Sequence, residues 1–353
     1  ELCYGNKFHI NPEGKNIKST GFTIQGQSDT VYFTDIPNKN SDGTLDGSGK
    51  GILAIVKGDT ELSQNQLVVA SAGIVDYDHG EVIISTVNIT STQKPNNIIA
   101  VTGTNGKSSI ANFYYQILKL NKKKVASIGT LGVRSNQINL NLSNTTIDPL
   151  QLGQLLKKLK SKGIENVIME ASSHGLRQNR LDGLKFNSGI FTNFSQDHLD
   201  YHKNLKAYLK AKLYLFEKLV KRRGNIITDD KIPEFKKIKK ISLEKNLKLN
   251  VLDNPRNGFK ILSHSFDGES QVLKVKHKNY IKNIRINLIG KIQLKNILMA
   301  ILAALKSNIS LSEILLIIPR INPVDGRFEK VGKIKNKSKV ILDYAHTPDA
   351  LKI

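Results

Sequence analysis

The chain has 353 residues, 39% of them hydrophobic, which is enough for two or three domains with well-formed cores. Its single cysteine, Cys3, excludes an internal disulfide scaffold and, with no Cys/His cluster around it, a zinc ribbon, so a reducing, cytoplasmic location is expected. The formal net charge of +23 favours anionic ligands, but the lysines are spread along the chain without interleaved aromatic residues, so no nucleic-acid partner is expected.

The first ninety or so residues predict a small N-terminal domain of mixed α/β or mostly β structure. This region is rich in Gly, Asn, Ser and Asp, and short β-type runs occur at residues 51–56, 66–70 and 81–87. A polar segment over residues 90–97 carries a proline and does not favour a helix, so we interpret it as a linker. The N-terminal domain is therefore placed at residues 1–94.

Beyond the linker, apolar runs rich in β-branched residues alternate with helical stretches. The runs are residues 98–102, 124–128, 166–170, 188–194 and 224–228. Short strands that are apolar on both faces are typical of a parallel sheet covered by helices on each side. The pattern predicts a central, doubly wound α/β domain over residues 95–323.

The last part of the chain predicts further elements and a third domain. The expected elements are a β-rich stretch at residues 243–288, helices at 291–306 and 310–318, and a strand at 339–344. The strand would open a C-terminal domain at residues 324–353. Because the chain begins with Glu1 and its pattern breaks off at Ile353, we expect a fragment of a longer protein in which this third domain is truncated.

A glycine-rich loop follows the first strand of the central domain. Residues 103–109 lie between the strand at 98–102 and a predicted helix at 110–120. Glycines let successive backbone N–H groups face an anion, while Lys107 supplies charge and Ser108 a hydroxyl for Mg²⁺. The loop, a Gly-x-x-Gly-Lys-Ser variant of the common motif, predicts triphosphate binding. The candidate phosphate-binding residues are Gly103, Thr104, Asn105, Gly106, Lys107, Ser108 and Ser109.

Two further side chains lie at the carboxyl ends of predicted strands. Glu170 ends the strand at 166–170, and His198 follows the strand at 188–194. Ligands gather at this edge of open α/β sheets, so both residues are candidates for holding a metal near the terminal phosphate. A carboxylate suits a hard cation and one imidazole is acceptable. A solvated surface charge is the alternative interpretation of Glu170.

One lysine falls within the apolar stripe of a predicted helix at residues 204–221. The stripe comprises Leu205, Leu209, Leu213, Phe216 and Val220. Lys212 falls within it, whereas Lys206, Lys210 and Lys221 point away. Two interpretations of Lys212 remain: a lysine stem that runs along the margin of the core, or a partly desolvated amine whose lowered pKa lets it react.

Several separate motifs resemble, in order, the signature of the Mur ligases. They are GTNGKSS (103–109), EASSHGL (170–176), DHLD (197–200), AK (211–212), GRFE (326–329) and DYAHTPD (343–349). The resemblance covers about residues 95–353 and is closest to the branch that adds a diamino acid to UDP-N-acetylmuramoyl-L-alanyl-D-glutamate. It implies an ATP-dependent amide ligase of peptidoglycan precursor synthesis that works through an acyl phosphate. It also implies three domains, for the UDP end, for ATP and for the incoming amino acid.

The resemblance implies a role for each residue that matches a motif. Lys107 and Ser108 would hold the ATP phosphates and one Mg²⁺, while Glu170 and His198 would hold a second Mg²⁺. Lys212 matches the family's carbamylated lysine, in which CO₂ converts the amine into an anionic oxygen ligand beside magnesium.

Other positions match nucleotide and substrate contacts of the family. Asn296 would contact adenine, Arg327 the γ-phosphate and Asp343 the ribose, although Gln293 stands where the family commonly has asparagine. The residues that match contacts to the muramoyl dipeptide are Thr145, Thr146, Ser172, Gln178 and Arg180. Meso-diaminopimelate is expected as the amino acid ahead of L-lysine, but the motif that reads it would lie beyond residue 353. The Asp-Ser-Arg signature usual near the uridine is missing from the N-terminal region.

Two alternative functions remain. A folylpolyglutamate synthase-like ligase would share the phosphate loop and Lys212, but residues 172–175 and 343–349 favour the cell-wall branch. A basic nucleic-acid-binding NTPase is the alternative outside the ligases. No apolar run approaches the roughly 20 residues that span a bilayer, so no membrane partner is expected, and we expect a monomer.

Overall fold

The computed structural model describes residues 10–17, 19, 30–57, 66–84, 94–268, 270–334, 338–345 and 351. The chain divides into two compact units, Glu1–Thr90 and Ser91–Ile353. Cys3 and residues 346–349 of the last motif lie outside the described residues. The division of the second unit at residue 324 stays a prediction.

The first unit contains a four-stranded antiparallel sheet. Its strands are β1 (Val31–Pro37), β2 (Lys50–Lys57), β3 (Gln66–Asp76) and β4 (Glu81–Ile84), hydrogen-bonded in that order. Strands β1 and β2 bury Val31, Phe33, Leu53 and Ile55, which form part of the core of this unit. The three predicted runs are confirmed as strands, except for residues 85–87, which lie outside the described part of the chain.

The second unit is built on an eight-stranded sheet. Its strands are β5 (Asn97–Thr102), β6 (Val125–Gly129), β7 (Gly132–Ser135), β8 (Asn139–Leu140), β9 (Asn166–Glu170), β10 (Phe186–Phe191), β11 (Val220–Asp229) and β12 (Lys248–Leu252). The order across the sheet is β12-β11-β10-β5-β9-β6-β7-β8, and the six strands from β12 to β6 run parallel. The chain winds from β5 towards β6 on one side and later crosses to β10 on the other. The loops that follow β5, β6, β9 and β10 therefore meet at the edge where ligands gather in such sheets.

Helices flank this sheet, as the doubly wound α/β prediction requires. They are α1 (Lys107–Leu120), α2 (Pro149–Ser161), α3 (Ser173–Arg177), α4 (Leu199–His202), α5 (Leu205–Tyr214), α6 (Phe235–Glu244), α7 (Lys291–Ala304) and α8 (Leu311–Ile317). Ile110, Phe113 and Ile117 of α1 are buried at the spacing of one helical face and share a core with α7 and α8. In the described ranges, none of the helices has the length and apolar character that a membrane crossing needs.

Two smaller sheets complete the second unit. They are the antiparallel β13 (Lys260–Asp267), β14 (Ser270–His277) and β15 (Tyr280–Ile286), and the pair β16 (Glu329–Lys333) and β17 (Lys339–Leu342). The predicted β-rich stretch at 243–288 thus divides between two sheets, because β12 pairs with β11 in the parallel sheet.

The predicted helix over residues 204–221 is wrong at its carboxyl end. Helix α5 ends at Tyr214, a π-helical turn covers Leu215–Leu219, and β11 begins at Val220. Val220 lies in register with Phe186 of β10, so the parallel sheet takes up a residue that helical periodicity had assigned to the stripe. The strand is correspondingly longer than the one predicted at 224–228.

Candidate active site

The phosphate loop contains two glycines with backbone angles that other residues rarely adopt. Gly103 has a φ of 141° and Gly106 a φ of 85°, and α1 begins directly after the second. A Cβ atom on Gly106 would lie 2.7 Å from Oδ1 of Asn296, so the loop and α7 leave little room for a side chain there. The loop after β10 supports this conformation, because the N–H of Thr104 donates to the carbonyl of Asn193 at 3.0 Å.

The lysine of the loop contacts its own backbone. Nζ of Lys107 donates to the carbonyls of Gly103 at 3.0 Å and Thr104 at 2.8 Å. Burial of the ammonium lowers the pKa of Lys107, while the negative charges of Glu170 and Asp197 oppose that shift. The loop thus carries an enclosed amine that can donate to a phosphate oxygen.

Glu170 is the last residue of β9, and its carboxylate accepts three hydrogen bonds. Oγ of Ser108 donates to Oε2 at 3.1 Å. Thr130, which directly follows β6, donates from its backbone N–H to Oε1 at 2.9 Å and from Oγ1 to Oε2 at 3.2 Å. Glycine at position 129 leaves space for this carboxylate, since a Cβ there would lie 2.2 Å from Oε1. Glu170 is only 3% exposed, so its interpretation as a solvated surface charge is wrong.

His198 lies among other aromatic rings beside the phosphate loop. Its ring meets that of His174 edge to face with centroids 4.8 Å apart, and its Nε2 lies 3.4 Å from Oδ2 of Asp197. Burial lowers the pKa of His198; Asp197 opposes this shift, and the amines of Lys107 and Lys212 reinforce it. A neutral imidazole can offer a nitrogen lone pair to a metal.

Lys212 is fully buried near the end of α5. Its exposed fraction is 0%, its Nζ donates to the carbonyl of Gly103 at 2.8 Å, and the same atom lies 4.2 Å from the centre of the Tyr208 ring. Burial holds the pKa of Lys212 well below its usual range, and the charge of Lys107 adds to the shift while that of Asp197 opposes it. The amine of Lys212 is therefore buried, so the interpretation as a lysine stem at the core margin is wrong. That this amine reacts stays a prediction.

Helix α7, together with residues 327–328 and 343–345, forms another wall of the site. Asn296 and Gln293 are both 3% exposed, and Nδ2 of Asn296 donates to Oε1 of Gln293 at 3.0 Å. Nε2 of Gln293 donates in turn to the carbonyl of Arg327 at 3.2 Å. The guanidinium of Arg327 stacks 4.6 Å from the centre of the Tyr344 ring. The glutamine that departs from the family pattern thus connects Asn296 with Arg327.

The residues predicted to bind the muramoyl dipeptide are organised around Thr146. Oγ1 of Thr146 donates to the main-chain carbonyl of Glu170 at 2.9 Å and accepts the N–H of Ser172 at 3.0 Å. Nη1 of Arg180 donates to the main-chain carbonyl of Thr146 at 2.7 Å. These bonds hold the candidate acceptor side against the strand that carries the buried carboxylate.

One cavity of about 410 Å³ brings the predicted residues together. Those in its wall are Thr104, Asn105, Gly106, Lys107, Ser108, Ser109, Thr145, Thr146, Glu170, Ser172, Gln178, Arg180, His198, Lys212, Asn296, Arg327 and Asp343. Gly103 does not line the cavity but contributes the carbonyl that Lys107 and Lys212 share. Residues from eight separate stretches of the chain therefore face one space.

Several cavity residues were not predicted as site residues. They include Thr130, Asn144, His174, Asp197 and Tyr344. A positional signal existed for Thr130, because it follows an apolar strand of the parallel sheet, where the polar residues of such sheets gather. His174, Asp197 and Tyr344 belong to the motifs quoted above, whereas Asn144 carried no signal that sequence reasoning could use.

The donor atoms in the cavity fit magnesium. Ser108 offers a hydroxyl and Glu170 a carboxylate, and both are buried. Within the described ranges, no three His, Cys, Asp or Glu side chains converge as a closed metal cage. Magnesium is usually held by one or two carboxylates together with water and substrate phosphates, so an open oxygen donor set beside a phosphate loop suits it.

Comparison with known proteins agrees with this geometry. Residues 101–304 match the family described as Mur ligase middle domain, and the chain belongs to the Mur ligase family. It is 33% identical to the UDP-N-acetylmuramoyl-L-alanyl-D-glutamate--2,6-diaminopimelate ligase of Rickettsia typhi over 98% of this chain and 70% of the relative. The protein of the same name from Rickettsia bellii is 37% identical over 96% of this chain and 70% of the relative. These alignments extend into the first 94 residues, further than the motifs had indicated.

Two solved structures show how far the similarity of fold extends. A structure of a UDP-N-acetylmuramoyl-L-alanyl-D-glutamate--2,6-diaminopimelate ligase matches with a TM-score of 0.64 and 28% identity, covering 74% of this chain and 53% of that one. This chain therefore spans about half the length of that structure. A folylpolyglutamate synthase complex with AMPPCP and folate matches with a TM-score of 0.60, but at 16% identity over 75% of this chain and 71% of that one. The second match is a likeness of fold alone.

Proposed function

We propose that this protein is an ATP-dependent ligase that joins 2,6-diaminopimelate to UDP-N-acetylmuramoyl-L-alanyl-D-glutamate. The observation that carries the proposal is the convergence of Lys107, Glu170, His198 and Lys212 on one cavity beside a phosphate loop. The reaction is the one in the names of the relatives that match nearly the whole chain.

In this proposal, each part of the chain has its own task in a cytoplasmic, monomeric enzyme. Residues 1–94 hold the uridine end of the acceptor, residues 95–323 bind ATP, and residues 324–353 begin the region that receives the amino acid. The excess of basic residues suits a protein whose two nucleotide substrates are both polyanions.

The proposed reaction activates a carboxylate before it forms an amide, because a carboxylate is a poor electrophile. An oxygen of the acceptor carboxylate attacks the γ-phosphorus of ATP in line, ADP leaves, and an acyl phosphate forms. The amine of the amino acid then attacks the carbonyl carbon, and inorganic phosphate leaves as the amide forms. Little covalent chemistry falls to the protein in phosphoryl transfer, so its residues act mainly by positioning and by stabilising charge.

The nucleotide is held from two sides of the cavity. The N–H groups of the phosphate loop and the amine of Lys107 bind its phosphates, and Arg327 approaches the γ-phosphate from the opposite wall. Asn296 contacts the adenine and Asp343 the ribose. The hydrogen bond between Asn296 and Gln293 fixes the orientation of the adenine-binding amide.

Ser108, Glu170, His198 and a carbamylated Lys212 would hold two Mg²⁺ ions. Bound magnesium supplies positive charge against the phosphate oxygens. The burial of Lys212 supports carbamylation, because the neutral amine is the form that adds to the carbon of CO₂, with release of a proton. The product is an anion, so it attracts the ammonium of Lys107, the same charge that disfavours the protonated form of Lys212.

The acceptor lies on the other side of the cavity. Thr145, Thr146, Ser172 and Gln178 offer hydroxyl and amide groups to the peptide, and Arg180 offers a positive charge to a carboxylate. The hydrogen bonds of Thr146 to the strand that carries Glu170 place these groups beside the phosphate loop. The attacking carboxylate and the γ-phosphate then occupy one space, as an in-line transfer requires.

The test uses the protein expressed from its complete gene, with ATP, Mg²⁺ and UDP-muramoyl dipeptide. We expect phosphate release and a new tripeptide product, detected by mass, with meso-diaminopimelate and far less of both with L-lysine. Phosphate release that instead requires a folate-type acceptor and glutamate would establish the folylpolyglutamate synthase alternative. Salt-sensitive retention on DNA without binding of the nucleotide sugar would favour the nucleic-acid-binding NTPase.

A further inference from the structure

A chain of hydrogen bonds crosses the cavity from the acceptor side to the phosphate loop. Oγ1 of Thr145 lies 3.1 Å from Oγ1 of Thr130. Oγ1 of Thr130 lies 3.2 Å from Oε2 of Glu170, and Oγ of Ser108 lies 3.1 Å from the same oxygen. Three contacts therefore connect a candidate dipeptide-binding hydroxyl with the first hydroxyl of α1.

The carboxylate fixes the direction of every bond in this chain. An ionised Glu170 only accepts, so Thr130 and Ser108 each donate their single hydroxyl proton to it. Thr130 then has only lone pairs left, and Thr145 must donate its proton to Thr130. Thr145 in turn presents only lone pairs to the cavity. A ligand that meets Thr145 must therefore bring an N–H or O–H group.

Thr130 also contacts the other oxygen of the carboxylate. Its backbone N–H donates to Oε1 of Glu170 at 2.9 Å, so one residue at the end of β6 holds both carboxylate oxygens. The backbone of Glu170 is held in parallel, because Oγ1 of Thr146 donates to its main-chain carbonyl at 2.9 Å. Thr145 thus reaches the side chain of Glu170 through Thr130, whereas its neighbour Thr146 contacts the backbone of Glu170 directly.

We propose that Thr130 is a positioning residue that orients the Glu170 carboxylate for the metal and couples metal binding to the acceptor bound at Thr145. This inference rests on the proposed function, since it takes Glu170 as a metal ligand and Thr145 as an acceptor contact. An acceptor N–H at Thr145 fixes the rotamer of that hydroxyl and, through Thr130, the orientation of the carboxylate. Metal and acceptor then each bind more tightly in the presence of the other, because such coupling is reciprocal.

The Thr130→Val variant tests the hold on the carboxylate, because it removes the hydroxyl but keeps the size and the backbone N–H. Mn²⁺ replaces Mg²⁺ and is titrated by electron paramagnetic resonance in the presence of a β,γ-methylene ATP analogue. We expect Thr130→Val to bind Mn²⁺ about tenfold more weakly, the lower end of the range for partners of metal ligands, and Thr130→Ser to restore the wild-type affinity. Equal Mn²⁺ affinity in Thr130→Val and wild type would overturn the inference.

The Thr145→Val variant tests the coupling while leaving both bonds of Thr130 to Glu170 in place. In wild type, UDP-muramoyl dipeptide should tighten Mn²⁺ binding by about fivefold or more, the usual lower range for coupled sites. In Thr145→Val, with the dipeptide at a concentration that direct titration shows to be saturating, we expect the ratio of Mn²⁺ affinities with and without the dipeptide to fall to about one. Coupling that persists in this variant would overturn the inference. Because this measurement uses Thr145→Val alone, it is decisive even if Thr130→Val does not fold.

These titrations are separable from the test of the proposed function. Failure of the wild-type protein to form the tripeptide would reject the proposed reaction. A wild-type enzyme that forms the tripeptide, combined with variants that bind Mn²⁺ and dipeptide as wild type does, would reject only the role given to Thr130.

Discussion

Two lysine amines reach the same carbonyl oxygen from different regions of the fold. Lys107 and Lys212 donate to the carbonyl of Gly103 at 3.0 and 2.8 Å. Lys107 is 4 residues from that glycine, whereas Lys212 is 109 residues away on α5. The position of the Lys107 amine thus depends on the local backbone geometry of the phosphate loop. The position of the Lys212 amine depends instead on packing between elements that are far apart in the sequence. Changes in the loop should disturb nucleotide binding, whereas changes in α5 should act through the charge and position of one amine.

The largest effect is expected in the α5 region, from Lys212→Ala. The substitution removes the only amine of α5 that enters the cavity and with it the carbamate that the proposed reaction needs. Turnover should fall by at least about a hundredfold, since loss of a partner of a metal ligand alone costs up to that factor. Measured phosphate release should recover in part when a short carboxylic acid such as acetate is added.

The matched control for this substitution is Lys210→Ala on the same helix. Lys210 is exposed, and the substitution makes a similar change in helix composition and net charge. Its turnover should stay close to that of the wild type. Full activity of Lys212→Ala, or an equal loss in both variants, would contradict a specific role for the buried amine.

The difference between the two regions also explains what sequence reasoning could find. The phosphate loop was predictable because residues 103–109 contain both the glycines and the lysine that fold together. Helical periodicity placed Lys212 in the apolar stripe but left open whether its amine is buried or at the margin of the core. The end of its helix was not predictable either, because Val220 pairs with a strand that the chain forms elsewhere. The place of Thr130 after an apolar strand could have marked it as a site residue, but its contact with Glu170 could not be predicted, since that contact depends on β6 lying beside β9, an order that linear spacing does not reveal.

The second prediction concerns the loop region and uses Gly106→Ala. Gly106 has a φ of 85°, and its added Cβ would meet Oδ1 of Asn296 at 2.7 Å. A positive φ costs other residues about 1–2 kcal/mol. The contact also displaces Asn296, the residue proposed to contact adenine. Affinity for a fluorescent ATP analogue should therefore fall by about tenfold, together with some loss of thermal stability.

Gly43→Ala separates backbone strain from the steric contact. Gly43 has a φ of 86°, almost the same as that of Gly106, but no atom lies within 4 Å of its added Cβ. It belongs to the first unit and should lose comparable stability without any change in nucleotide affinity. If both variants bound the analogue as wild type does, close packing between the loop and α7 would not matter for the nucleotide.

The smallest effect is expected from Asp182→Asn, which probes the α5 region from outside the cavity. Oη of Tyr214, the last residue of α5, donates to Oδ2 of Asp182 at 2.8 Å. In the described part of the chain, Oδ1 of Asp182 is buried without a hydrogen-bond partner. Burial therefore raises the pKa of Asp182 above its ordinary value of 3.8, although the bond from Tyr214 opposes the shift. Asp182, which accepts a hydrogen bond from the end of α5, is therefore less favourable in the folded protein when it is charged than when it is protonated.

The sign of the pH dependence follows from proton binding. Between pH 3.8 and the raised pKa, the folded protein binds more protons at Asp182 than the unfolded chain, so wild-type stability falls as the pH rises through that window. Asparagine removes the charge, and its amide oxygen still accepts the hydroxyl of Tyr214. The unfolding temperature of Asp182→Asn should exceed that of wild type at pH 7 by about 2 °C, the shift that ~1 kcal/mol produces in a domain of this size. That difference should shrink as the pH falls towards 3.8, whereas a difference that grew in acid would mean that the charged carboxylate stabilises the support of α5.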